Sequence, residues 1–166
     1  MSNSRKHGGP PVAFLLAQVG FSSSRQFARA LEPLKLAPCD AGILRQLGHL
    51  PGISQQELAH RLEMHASRLV AVIDALEKRG LVVREVNSRD RRQYSLRLTE
   101  AGQQTLAEIG QIAQRLNRAV CDGLSEEESS QLAALLEKLA GLHGLKPEIH
   151  PGYRDMSKPR AEIKSK

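Results

Sequence analysis

The segment from Ser54 to Gly102 limits the possible folds more than any other part of this chain, because it sets two short helical patterns directly before two alternating runs. Ser54-Gln55-Gln56-Glu57 is a helix start signal. The Ser54 hydroxyl is expected to accept from the Glu57 amide, and the Glu57 carboxylate to reach back to the Ser54 amide. Leu58, Ala59 and Leu62 supply the buried stripe of that helix. The spacing of Leu69, Val72, Ile73 and Leu76 predicts a second helix over His65–Arg79, stopped by Gly80 in a left-handed conformation. Val82, Arg84 and Val86 then alternate with Val83 and Glu85. Tyr94, Leu96 and Leu98 alternate with Gln93, Ser95 and Arg97, so each run can bury one face as a strand. Asn87 to Arg92, polar and rich in arginine, is the expected hairpin tip. Two short helices followed by a basic hairpin read as a winged helix-turn-helix with a two-stranded wing, in which the second helix is sized for the DNA major groove.

Longer helical patterns flank this segment. Val12 to Leu34 carries Leu15, Leu16, Val19, Phe27, Leu31 and Leu34 at helical spacings, with Pro33 and Pro38 bracketing its exit. Asp40 to Leu50 is a short amphipathic helix with Ile43, Leu44 and Leu47 on one side, ended by Pro51-Gly52. Thr99-Glu100 begins a long helix to about Asp122, with Leu106, Ile109, Ile112, Leu116 and Val120 on one side. Ser125 with Glu126 to Glu128 starts the last helix, whose acidic first turn offsets the helix dipole. Its stripe is Leu132, Leu135, Leu136, Leu139 and Leu142. The chain is therefore expected to be mainly α, with further helices alongside the winged unit. The expected division is a disordered tail over 1–11, an all-helical region over 12–35 and 100–144, the winged unit over 36–99, and a polar basic tail over 145–166.

With 166 residues, 40% hydrophobic and 3% aromatic, the core has to be built from Leu, Ile, Val and Ala. A net charge of +6 favours a polyanionic partner without distinguishing nucleic acid from a membrane surface. No apolar run approaches the roughly 20 residues of a membrane span, and the basic N-terminus is not followed by the apolar stretch of an export signal. A reducing cytoplasm is the expected location. The sequence has no phosphate-binding loop, dinucleotide fingerprint or nucleophile elbow, so neither enzymatic activity nor a cofactor is expected. The six histidines form no pair at ligand spacing, and a metal role is not expected.

The Ser-x-x-Glu-Leu-Ala helix start, the run Leu76 to Val82, Asp90-Arg91-Arg92 and then Leu98-Thr99-Glu100-Ala101-Gly102 stand in the order and spacing of one family. From about Val12 to Leu142 the chain resembles the MarR family of transcriptional regulators. The resemblance implies a homodimer whose first and last two helices interlock. Each winged unit would present a recognition helix to half of a near-palindromic site on double-stranded DNA. The apolar stripes on the flanking helices exceed what a small winged unit can cover, which agrees with a shared interface. The resemblance also implies repression relieved by a small-molecule effector. Its expected place is a cleft lined by parts of Val12–Leu34, Asp40–Leu50 and Thr99–Val120.

Along the recognition helix, His65, Ser67, Arg68 and Ala71 lie off the buried stripe and are the expected major-groove residues. Arg68 is suited to the guanine edge. Family members often carry Ser or Thr where Arg68 stands and a charged residue where Ala71 stands. Arg89, Arg91 and Arg92 form a guanidinium cluster suited to phosphate or a narrow minor groove, and the resemblance makes Arg92 the minor-groove residue, with Asp90 shaping the wing turn. Cys39, just before a helix, could have its thiolate stabilised by the helix N-terminus, whereas Cys121 reads as a small buried hydrophobe. Two other readings compete with a sequence-specific regulator: a winged-helix protein-interaction adaptor, and a nonspecific architectural DNA-binding protein.

Overall fold

A computed structural model describes residues 9–86, 94–146 and 149–150. Six helices and three strands follow in the order α1 (Val12–Leu31), α2 (Pro38–His49), β1 (Ile53–Ser54), α3 (Gln55–Leu62), α4 (Ala66–Lys78), β2 (Val82–Val86), β3 (Tyr94–Leu98), α5 (Glu100–Val120) and α6 (Glu126–Leu142). The architecture is the expected one, mainly α with a small antiparallel sheet.

The first helix ends earlier than its apolar spacing suggested. Pro33 has no amide hydrogen to continue the ladder, so Glu32–Leu34 tightens into a 3-10 turn that closes with Lys35 at φ 52°. Proline also moves the start of α2. The sequence placed that start at Asp40, but Pro38 occupies the first helical position, where its missing N–H costs nothing, and the Asp40 carboxylate accepts from the Ala37 amide at 2.7 Å.

The wing contains a strand that was not expected. Residues Ile53 and Ser54 pair with Leu96 and Ser95, making a three-stranded sheet of order β1-β3-β2. Two residues carry no alternation to read, and their partners lie far along the chain. In the hairpin, Val82 faces Leu98 and Val86 faces Tyr94, which puts the alternating positions Val82, Arg84 and Val86 opposite Leu98, Leu96 and Tyr94.

Leu58, Leu62, Leu69, Ile73, Leu76 and Leu96 are buried together with Ile43, Leu44 and Leu47 of α2, so a single core joins the three short helices and the sheet. The long α5 is fastened to this unit at its first turn. The Thr99 hydroxyl caps α5 by accepting from the Gly102 amide at 3.0 Å and donates to the Gly80 carbonyl at 2.6 Å. The Thr99 amide donates to the Leu81 carbonyl at 3.1 Å. A Cβ on Gly102 would lie 2.0 Å from that same Leu81 oxygen, so only glycine fits against it.

The outer helices are different. Ser125 and Glu128 form a complete capping box for α6, yet the helix has no buried residue, and Leu135 and Leu142 are 61% and 73% exposed. Along α1, Val12, Phe14, Leu15, Leu16, Val19 and Phe21 are also exposed, and only Leu31 is buried. Two apolar helix faces thus stand open in the single chain. Among the described residues, no helix is long and apolar enough to cross a membrane.

Candidate nucleic-acid interface

The turn between α3 and α4 is set by backbone geometry. The Ser54 hydroxyl accepts from the Glu57 amide at 3.1 Å, and this is the half of the expected capping box that fixes the start of α3. At the other end Glu63 adopts φ 51°, and the Met64 amide returns to the Ala59 carbonyl at 3.0 Å. This left-handed residue turns the chain sharply into α4, with His65 as its N-cap.

Leu69, Ile73 and Leu76 hold α4 on the core. Its opposite face is open: His65, Ala66, Ser67, Ala71 and Ala75 are exposed, with Val70 and Asp74 partly so. Arg68, expected on the outward face, is only partly exposed, and its Nε is buried with no hydrogen-bond partner among the described residues. Its charge lowers the Cys39 pKa, so it lies within electrostatic reach of α2.

Cys39 does not carry the activated thiolate that its place near a helix start suggested. It is 2% exposed, and burial, followed by the neighbouring Asp40 charge, pushes the thiol up to about 11 against the opposing pull of Arg68. Cys121 is partly buried.

Arg84, which the sequence showed only as an inward member of an alternating strand, joins three elements. One guanidinium nitrogen meets Asp74 at 2.5 Å, another binds Glu77, and Nε donates to Gln55 Oε1 at 3.3 Å. Its backbone amide also donates to Glu77, at 3.3 Å. Partial burial acts to lower its pKa, but the hydrogen bonds and charges of Asp74 and Glu77 outweigh this and raise it, so Arg84 is permanently charged. The two acidic groups of α4 are thereby neutralised beside its open face, and β2 is bound to both helices. Arg79 makes a second tie. It donates to the Leu34 and Lys35 carbonyls at 2.7 and 2.9 Å, which anchors the C-terminal end of α4 to the turn after α1. Sequence reasoning missed both arginines as positioning residues, since their partners belong to other elements.

The sheet carries the wing alongside. The Gly52 amide donates to the Leu96 carbonyl at 2.9 Å, and Arg97 pairs with Glu85 at 2.9 Å on the exposed side. Arg89, Asp90, Arg91 and Arg92 of the expected tip lie outside the described residues.

A cavity of about 870 Å³ opens between α1, α2 and α5, in the region of the cleft inferred from the sequence. Phe27, Cys39, Ile109 and Leu116 make its walls largely apolar, with Arg45 and Asn117 as polar members. Among the described residues, no three His, Cys, Asp or Glu side chains come together as a metal site.

Comparison with known proteins agrees with this geometry. The sequence pattern of the MarR family matches residues 40–94, from α2 into β3. A curated relative from Thauera aromatica, described as a candidate transcriptional regulatory protein for the hcr operon, is 34% identical, with 81% of this chain and 92% of the relative aligned. The crystal structure of apo MarR from E. coli superposes with a TM-score of 0.70 at 25% identity, covering 79% of this chain and 97% of that one. The transcriptional repressor CouR, solved bound to a 23-mer DNA duplex, gives a TM-score of 0.69 at 30% identity, covering 78% of this chain and 92% of that one.

Proposed function

This chain belongs to the MarR family of transcriptional regulators, and from that premise we propose that it acts as a homodimeric repressor on a near-palindromic operator. Each subunit lays the N-terminal half of α4 in the major groove, with His65, Ser67, Arg68 and Ala71 toward the DNA. The wing arginines Arg89, Arg91 and Arg92 reach the flanking minor groove and phosphates, and Asp90 shapes the wing turn. The protein works in the cytoplasm, where bound dimer blocks polymerase. It is a regulator and not an enzyme. A small molecule entering the cavity between α1, α2 and α5 releases it.

The observation that carries this reading is the open face of α4, held by Arg84 beside the β2–β3 hairpin in a fold shared with DNA-bound relatives. The bare apolar faces of α1 and α6 support the dimer, since exposed apolar patches of this kind mark subunit contacts. The helical dimerization region is assigned to 12–35 and 100–144, and the winged unit to 36–99.

Selection from random duplexes, followed by titration against salt, tests the reading. The selected site should contain half-sites about 10 base pairs apart, and affinity should fall linearly in log salt. It should also exceed that for random DNA by at least about a thousandfold. Arg92→Ala should weaken binding while leaving the selected major-groove bases in place. Salt-independent capture of a protein would instead favour an adaptor, and equal affinity for all duplexes an architectural role.

A further inference from the structure

We infer that α4 reads its half-site through the methyl groups of thymine, with Val70 and Ala71 as the contacting side chains. The inference rests on the DNA-binding reading above and specifies what that interface recognises. Past its N-cap, the groove-facing surface of α4 consists of Ala66, Ser67, Val70, Ala71, Asp74 and Ala75. Ser67 is the only neutral hydrogen-bonding side chain among them. Asp74, which could accept from cytosine, is already paired with Arg84 at 2.5 Å. Of the two long cationic donors within the helix, Arg68 has its Nε buried and Lys78 stands at the C-terminal end, away from the half laid in the groove.

The major groove presents one apolar group, the C5-methyl of thymine, and distinguishes the other bases by donors and acceptors. A face made mostly of alanine and valine, with Ser67 its one neutral polar member past His65, leaves most of those donors and acceptors unmet, but it can cover a methyl. Its short side chains also let the helix approach the base edges closely. Sequence-independent attraction to phosphate is supplied elsewhere, by the basic charge of the chain. Bases are therefore distinguished by hydrophobic contact, and Arg68 serves the backbone at the helix flank.

Deoxyuridine differs from thymidine only by the missing methyl, so the selected operator can be tested one thymine at a time without altering its base pairing. One or two thymines per half-site should respond, each methyl removed weakening binding about fourfold and a symmetric pair about fifteenfold. The salt slope should stay constant. Val70→Ala should shrink the thymine-over-uracil ratio at one responsive position and leave it intact elsewhere, with an unchanged thermal unfolding curve as the control on folding. The inference is overturned if the protein prefers its operator strongly over random duplex yet every uracil substitution stays within about twofold. It is equally overturned if Arg68→Ala flattens preference at a guanine while Val70→Ala does nothing. Failure to prefer any duplex over random DNA would remove the DNA-binding reading itself, and this inference with it.

Discussion

Replacing Gly102 by alanine is expected to destabilise the protein, although helix propensity argues for the opposite sign. The residue lies in the first turn of α5, where exchanging glycine for alanine would ordinarily stabilise by up to about 1 kcal/mol. The added Cβ, however, would stand 2.0 Å from the Leu81 carbonyl oxygen and 3.0 Å from its carbon. Both are backbone atoms, so no side-chain rotation relieves the clash. An ordinary carbon–oxygen approach is about 3.3 Å, so α5 and the start of β2 must separate by roughly 1.3 Å. That displacement falls on the bonds from the Thr99 amide to Leu81 and from the Thr99 hydroxyl to Gly80, at 3.1 and 2.6 Å. Losing both costs about 2 kcal/mol, and residual overpacking adds about 1–3 kcal/mol. After the propensity gain, the net loss is about 2–4 kcal/mol. Urea unfolding followed by circular dichroism, at one fixed protein concentration, measures it. Gly110→Ala is the matched control: it lies in the same helix with nothing within 4 Å of the new Cβ, and should gain about 0.5–1 kcal/mol. If both variants move the midpoint upward, the close approach to Leu81 is not what demands glycine.

Leu135→Lys should convert a dimer to monomer in sedimentation experiments, because a charge buried without a partner costs about 3–5 kcal/mol; an unchanged dimer would place the interface away from α6. Cys39 should resist iodoacetamide near neutral pH while Cys121 reacts, and early labelling of Cys39 in folded protein would contradict its burial. Because folding raises the Cys39 value from 9.0 to about 11, the stability contributed by its protonated thiol is complete below pH 9.0 and is lost as pH rises toward 11. Arg84→Met should weaken operator binding at least tenfold by freeing the charges of Asp74 and Glu77. Adding Asp74→Asn and Glu77→Gln should recover part of that loss, and no recovery would leave Arg84 with a packing role alone.

The legible parts of the fold were those with a repeating pattern. The stripe Leu69, Ile73, Leu76 and the alternation over Val82–Val86 and Tyr94–Leu98 report directly which face is buried, so α4 and the two hairpin strands could be read from the chain. Proline punctuation was harder. Pro33 and Pro38 were both visible, but whether a proline ends one helix or opens the next depends on partners such as the Ala37 amide and Asp40. The strand at Ile53–Ser54 had too few residues to show a period. At the interface, helical periodicity found the open positions of Ser67 and Ala71, while the partial burial of Arg68 was not visible in its spacing. The pairing of Arg84 was hidden for a related reason: its partners Gln55, Asp74 and Glu77 come from two helices, and no local spacing announces such a meeting.

The Arg84 junction has a mechanical consequence. With one guanidinium fixed to Asp74, Glu77 and Gln55, α4, α3 and β2 form a single stiff plate. Distorting α4 alone would mean stripping a partly buried cation of its counterions, whereas tilting the whole plate leaves the Arg84 pairs intact and loads the Arg79 ties to the turn after α1. On the function proposed above, a molecule wedged between α1, α2 and α5 would have little leverage over which bases are recognised. Its leverage would be over pitch and separation, so that two copies of the plate fall out of step with the helical repeat of DNA while each still matches its own half of the sequence.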